Sequence, residues 1–155
     1  MGLYTNRTWN RANIEAMKFD RLLKRITTII EWYIKTKPNE TQVVNMIDKM
    51  DELSGLLWLM ADFTSDAKLE YNQKYFVYKI ETAREKMNLV KTGLAVNKAD
   101  TEALLSKETE YELQLEAEAV CYKADLLMRQ GNRILDSMRT RISYFKAEAS
   151  YERTA

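Results

Sequence analysis

Histidine is absent from the sequence, and with it go the commonest general base and the commonest transition-metal ligand. The single cysteine, Cys121, has no partner within the chain for a disulfide and cannot supply the cysteine and histidine set of a zinc site. Without a histidine beside it, a catalytic thiolate also lacks its usual activator. Four scattered glycines, Gly2, Gly55, Gly93 and Gly131, cannot be written as G-x-x-x-x-G-K or G-x-G-x-x-G, so neither glycine-rich phosphate loop is present. Pro38 is the only proline, and turn residues this scarce leave a many-stranded sheet without its turns. No run approaches the ~20 apolar residues of a membrane span, and Met1 to Asn10 has no signal-peptide core. These absences point to a protein that is not an enzyme, carries no metal or other cofactor, has no membrane partner, and works in a reducing, cytoplasmic compartment.

What remains is a charged, helix-forming chain. Its 155 residues suit one domain over 1–155, large enough to bury a core without disulfides. The 24 basic and 23 acidic residues leave a net charge of +1, so any affinity for a polyanion must come from local patches. Ala12, Ala16, Phe19, Leu23, Ile26, Ile30 and Tyr33 recur at steps of three and four, which predicts a helix over about 10–36, with Thr8 or Asn10 as its cap. Pro38 restricts Lys37 and ends it. A second helix over about 41–61, capped by Asn39 or Thr41, carries Val44, Ile47, Met50, Leu53, Leu57, Met60 and Ala61. Asp62 to Asp66 reads either as a turn or as a polar bend in a continuing helix. The pattern resumes over 66–91 through Leu69, Phe76, Ile80, Ala83, Met87 and Val90, and stops at Gly93. After a turn from Gly93 to Asp100, a last helix over about 101–149 starts at an Asp100 or Thr101 cap, with Glu102 and Glu108 near its positive end.

That last helix holds the longest stripe: Leu113, Ala117, Val120, Ala124, Leu127, Gly131, Ile134, Met138, Ile142 and Phe145. At the helical rise it extends about 50 Å, long for one compact domain to cover, and Ala117, Ala124 and Gly131 recur every seven residues so that a partner helix can approach closely. The stripe fits an ordinary bundle core or a homo-oligomer interface. The fold expected is all-α, a long-helix bundle with a coiled-coil-like C-terminal helix, assembled with copies of itself.

The carboxylates Glu108, Glu112 and Glu116 share one helix face, but a di-metal site adds an E-x-x-H motif that this chain cannot form, so they read as a solvated face. Basic and aromatic residues interleave in two places, as they do in proteins that hold single strands by cations on phosphates and rings on bases. The first runs through Arg7, Trp9, Arg11, Lys18, Arg21, Lys24, Arg25, Trp32, Lys35 and Lys37. The second is Lys68, Tyr71, Lys74, Tyr75, Tyr78 and Lys79. Its rings either stack bases or pack on a neighbouring helix while the lysines reach solvent. A third basic stretch, Arg129, Arg133, Arg139, Arg141 and Lys146, follows the acidic one.

Two segments add to this. Ala67-Lys68-Leu69-Glu70-Tyr71 and Leu135-Asp136-Ser137-Met138-Arg139-Thr140-Arg141 resemble, in the same order, segments of the UvsY family, the recombination mediators of T-even-type bacteriophages. Asp66 stands where that family carries a further basic residue. The resemblance implies single-stranded DNA binding through Lys68 and Tyr71, assembly of a homo-oligomer through the C-terminal helix, and loading of a recombinase onto DNA coated by a single-strand binding protein in the bacterial host cytoplasm. The rival expectation is a helical inhibitor or adaptor of a host protein that ignores DNA.

Overall fold

The computed structural model describes residues 5–152, with side chains from Lys18 to Tyr151. Four α-helices, α1 (Thr5–Thr36), α2 (Val43–Lys91), α3 (Val96–Ser106) and α4 (Glu108–Glu152), and one 3-10 turn (Glu40–Gln42) hold almost all of them. Among the described residues there is no strand, and no helix is long and apolar enough to cross a membrane. The fold is an all-α helical bundle of long helices.

α1 begins at Thr5, upstream of both expected caps, so neither Thr8 nor Asn10 starts it. It ends as Pro38 dictates. Lys37 adopts φ 46, the left-handed conformation that closes helices, and its N–H donates to the Tyr33 carbonyl at 3.1 Å. Asn39 then caps the next turn: its side chain accepts from the Thr41 N–H at 3.1 Å, and the Gln42 amide oxygen accepts from the Asn39 N–H at 3.3 Å.

Helices expected over 41–61 and 66–91 are one, α2. Asp62 to Asp66 contains no proline or glycine, so every backbone donor of the ladder survives, and polar residues cost a helix only a few tenths of a kcal/mol each. The expected last helix is instead two. Lys107, at φ −112 and ψ 25, ends α3 with its N–H donating to the Leu104 carbonyl at 3.2 Å. The Ser106 hydroxyl bonds back to the Ala103 carbonyl at 3.0 Å, the local competition that makes serine a poor helix continuer. Asp100, Thr101 and Glu102 therefore lie inside α3, whose N-cap is Ala95, while Glu108 and Glu110 open α4 where the helix dipole favours anions. The turn between α2 and α3 is correspondingly short.

That turn is a Schellman closure around Gly93, with φ 94. Its N–H donates to the Val90 carbonyl at 3.0 Å, and the Leu94 N–H donates to the Leu89 carbonyl at 3.1 Å. An L side chain at such a φ costs about 1 kcal/mol or more. Gly93→Ala is expected to destabilise by that amount in urea unfolding; an unchanged midpoint would mean the closure is not held by backbone conformation.

The chain divides into two compact units, one of residues 1–63 and 125–155, the other of residues 64–124. The first has a dense apolar core from three helices: Ile26, Ile29, Ile30 and Tyr33 of α1, Met46, Leu53, Leu57 and Met60 of α2, and Leu127, Leu135, Met138 and Ile142 of α4. Each such aliphatic side chain contributes about 1.5–3 kcal/mol of burial. The Tyr33 hydroxyl, the polar end of a buried ring, shares a hydrogen bond of 2.8 Å with Ser137. Phe19 and Phe63 meet at 5.9 Å in a tilted pair. At the surface Arg25 donates to Glu52 at 2.8 Å, and this bond first, then the neighbouring Lys49, holds the Glu52 carboxyl below its ordinary pKa. Val44 and Ala61, expected on the inward stripe, are exposed, and Met46 and Leu56 are buried instead.

The second unit is built differently. Its fully buried apolar side chains are alanines, Ala99, Ala103 and Ala124, with Ala117 nearly so.

Candidate nucleic-acid interface

All six residues of the second basic and aromatic cluster lie on α2 within the second unit, where the helix turns them onto two different faces. Tyr71, Lys74 and Tyr78 are half-buried, in step with Ala67, Thr82, Glu85 and Leu89, and form the inward seam of α2. Tyr78 rests on Tyr111 of α4, ring centroids 5.3 Å apart. Its ring therefore serves packing, and Lys74 is drawn towards the same seam. Lys68, Tyr75 and Lys79 face solvent along one edge of α2, at spacings of seven and four that stack them along the helix. Tyr71 borders this edge, its ring 6.1 Å from that of Tyr75. Lys79 Nζ stands 5.5 Å from the centroid of the Tyr75 ring, within cation–π range. Four of the six residues thus make one strip, Lys68–Tyr71–Tyr75–Lys79, with a cation at each end and two rings between.

Such a strip presents π-faces to bases and ammonium groups to phosphates, with no geometry that selects a sequence. Asp66, two residues before Lys68, is exposed, but residues two apart on a helix do not face each other, so its carboxylate lies away from the strip.

The other cationic residues lie elsewhere. Arg7, Trp9 and Arg11 fall outside the residues whose side chains are described. Lys18, Arg21, Lys24, Arg25, Lys35 and Lys37 are on α1 and its C-terminal turn in the first unit, where Lys35 pairs with Glu31 at 3.0 Å and Trp32 packs against the core. On α4, Arg129 pairs with Asp125 and Arg139 with Asp136, so much of the third basic stretch is neutralised by its own helix.

The α4 stripe is divided. Ala117, Ala124, Leu127, Met138 and Ile142 are buried within the chain, Gly131 is buried against Leu57, and Ile134 and Phe145 pack beside the core. Leu113 and Val120 are exposed, and Gln114 and Cys121 take the inward places instead. Gln114, Ala117, Cys121 and Ala124 keep the three-four spacing of a helical seam, which apolar periodicity alone does not reveal. The seam is polar on the other helix too, where the Thr82 hydroxyl is buried without a hydrogen-bond partner. The exposed Glu108, Glu112 and Glu116 form the solvated acidic face expected of them. Among the described residues no group of three or more acidic or cysteine side chains is placed to hold a metal ion.

No protein-family model matches this chain, and comparison with curated proteins and with solved structures finds no match.

Proposed function

We propose that the protein is a non-enzymatic binder of single-stranded DNA that acts as an assembly of several copies. The observation that carries this reading is the strip on α2, in which Lys68 and Lys79 bracket the rings of Tyr71 and Tyr75. Rings at helical spacing let successive bases stack, each worth about 1–3 kcal/mol, and the flanking lysines neutralise phosphates. One strip this short binds weakly, and repetition around an assembly adds through avidity. The resemblance to the UvsY family extends the proposal to a recombination accessory factor that hands single strands from a single-strand binding protein to a recombinase in a bacterial cytoplasm.

Fluorescence anisotropy with a labelled oligonucleotide across a salt series tests it. Wild type is expected to bind at low salt. Lys68→Ala with Lys79→Ala is expected to flatten the dependence of log K on log salt by about 1.4, at ~0.7 for each phosphate no longer neutralised. Tyr75→Ala is expected to weaken binding at every salt concentration with no change of slope, and Lys74→Ala to have the smallest effect. Absence of binding at low salt, or binding indifferent to these substitutions, overturns the proposal.

A second reading, a helical inhibitor or adaptor that engages a protein and ignores DNA, is favoured by the large apolar side chains exposed on the second unit, such as Phe76 and Tyr122. Co-purification of a protein partner from nuclease-treated lysate by a chain that binds no oligonucleotide supports that reading over the first.

A further inference from the structure

The second unit has its polarity reversed. The inward seam of α2 carries Tyr71, Lys74, Thr82 and Glu85, while the opposite face carries Leu69, Phe76, Ile80 and Met87, 49% to 62% exposed. With Ala83 and Val90 these residues keep a three-four spacing from Phe76 to Val90, with Leu69 one heptad before and Asn72 and Gln73 between, the repeat by which a helix packs along another helix. α4 repeats the inversion: Gln114, Ala117, Cys121 and Ala124 face inward, while Leu115, Ala119 and Tyr122 lie on the opposite face, Tyr122 at 68% exposure. Scattered apolar residues at a surface are ordinary, but Phe76, Ile80, Ala83, Met87 and Val90 in unbroken steps over about four helical turns are not.

The charges beside the two stripes differ in sign. The α2 stripe is edged by Lys79 and Lys86 on one side and Arg84 and Lys91 on the other; Arg84 pairs with Glu81 and Lys86 with Asp100 within the chain, which leaves Lys79 on one edge and Lys91 on the other for a partner. The α4 stripe is edged by Glu112 and Glu116 on one side and Glu118 on the other, with Lys123 adding one cation. Two α2 stripes laid together would bring the remaining cations, Lys79 and Lys91, against their own copies, whereas α2 against α4 sets one of them beside a carboxylate on each edge. Within one chain this pairing cannot form, because each stripe lies on the side of its helix away from the seam. We infer that the outward face of α2 docks on the outward face of α4 of a second copy of this chain.

Because the two faces lie on opposite sides of the same unit, the contact is head-to-tail. Each protomer accepting a neighbour on α2 still presents α4 to another, so assembly passes beyond the dimer and either closes or propagates. This inference shares only Lys79 with the nucleic-acid strip, uses nothing of the buried part of the α4 stripe, and stands whether or not DNA is bound.

Light scattering on nuclease-treated protein tests it, with two variants that each lose one face: Ile80→Glu with Met87→Glu on α2, and Leu115→Glu with Tyr122→Glu on α4. All four positions are exposed, so circular dichroism is expected to report unchanged helix. Wild type is expected to be larger than two protomers, and each variant alone to run as the 18.2 kDa protomer. An equimolar mixture of the variants is expected to give a dimer and nothing larger, since one intact α2 face meets one intact α4 face. If a variant loses helix, the charge exchange Lys79→Glu with Lys91→Glu against Glu116→Lys with Glu118→Lys, one position on each edge of each stripe, is used in the same way, each alone weakening assembly and the combined chain restoring it. A monomeric wild type, variants that assemble normally, or a mixture that stays monomeric overturns the inference. Failure of oligonucleotide binding leaves it intact.

Discussion

Ala124→Glu is expected to destabilise the protomer by about 4 kcal/mol or more, because a carboxylate forced into a sealed site without a partner either loses its hydration or must take up a proton. Ala124 is fully buried within a seam whose other α4 members are Ala117, Cys121 and Gln114. Small side chains let the helices approach there, so a glutamate has volume to displace as well as charge to bury. The measurement is the thermal midpoint at several protein concentrations. A chain of this size loses about 2–4 °C per kcal/mol, so a fall of roughly 10 °C is expected, equal at every concentration. Were Ala124 buried only between copies, the midpoint would become concentration-dependent while the isolated protomer stayed stable. Ala147→Glu is the control: it lies exposed on the same helix, away from the Leu115–Tyr122 face, and is expected to leave the stability within about 0.5 kcal/mol of wild type. Equal losses from both substitutions would contradict the burial described for this helix.

The contrast between the buried Ala124 and the exposed Ala147 also shows which parts of the molecule the sequence makes legible. Helical periodicity identifies α1 and its inward residues, since Ile26, Ile30 and Tyr33 are buried as their spacing predicts. Gly93 and Pro38 are legible as stops because each acts through its own backbone, which requires no knowledge of the neighbours. Periodicity is silent, however, on which side of a helix meets the rest of the chain. Leu69, Phe76, Ile80 and Met87 form a true stripe, yet they face outward. The inward face of the same helix is set by residues that no hydrophobicity rule selects, such as Lys74, Thr82 and Glu85. The same indeterminacy separates the six candidate DNA-binding residues: their spacing places Tyr78 beside Tyr75, but only the position of Tyr111 decides that Tyr78 is packed. The break at Lys107 is hidden for another reason: no proline or glycine marks it, and α3 closes through the Lys107 N–H donating to the Leu104 carbonyl, a change of backbone conformation invisible in composition.

Gly131 gives the sharpest test of packing in the first unit. A Cβ added there would stand 2.5 Å from Leu57 Cδ2, 3.1 Å from Cδ1 and 3.3 Å from Cγ. The nearest of these is a side-chain end, which ordinarily swings away at little cost. Leu57 is only 5% exposed, however, and sits in the core cluster with neighbours on α1, α2 and α4, so its movement displaces others. Two effects then oppose one another. Replacing a mid-helix glycine by alanine favours α4 by about 1 kcal/mol, while overpacking a filled core costs about 1–3 kcal/mol. Gly131→Ala is therefore expected to be destabilising by about 1 kcal/mol, and Gly131→Leu, which has far more volume to place, by about 3 kcal/mol or more. The cause is separable by a double-mutant cycle in urea. Leu57→Ala alone is expected to cost about 2–5 kcal/mol, but in the Gly131→Ala background the new methyl occupies part of the space vacated, so the two changes are expected to couple favourably by about 1 kcal/mol. Strict additivity, or a Gly131→Ala chain more stable than wild type, would mean that α2 and α4 do not meet at this position as closely as the backbone places them.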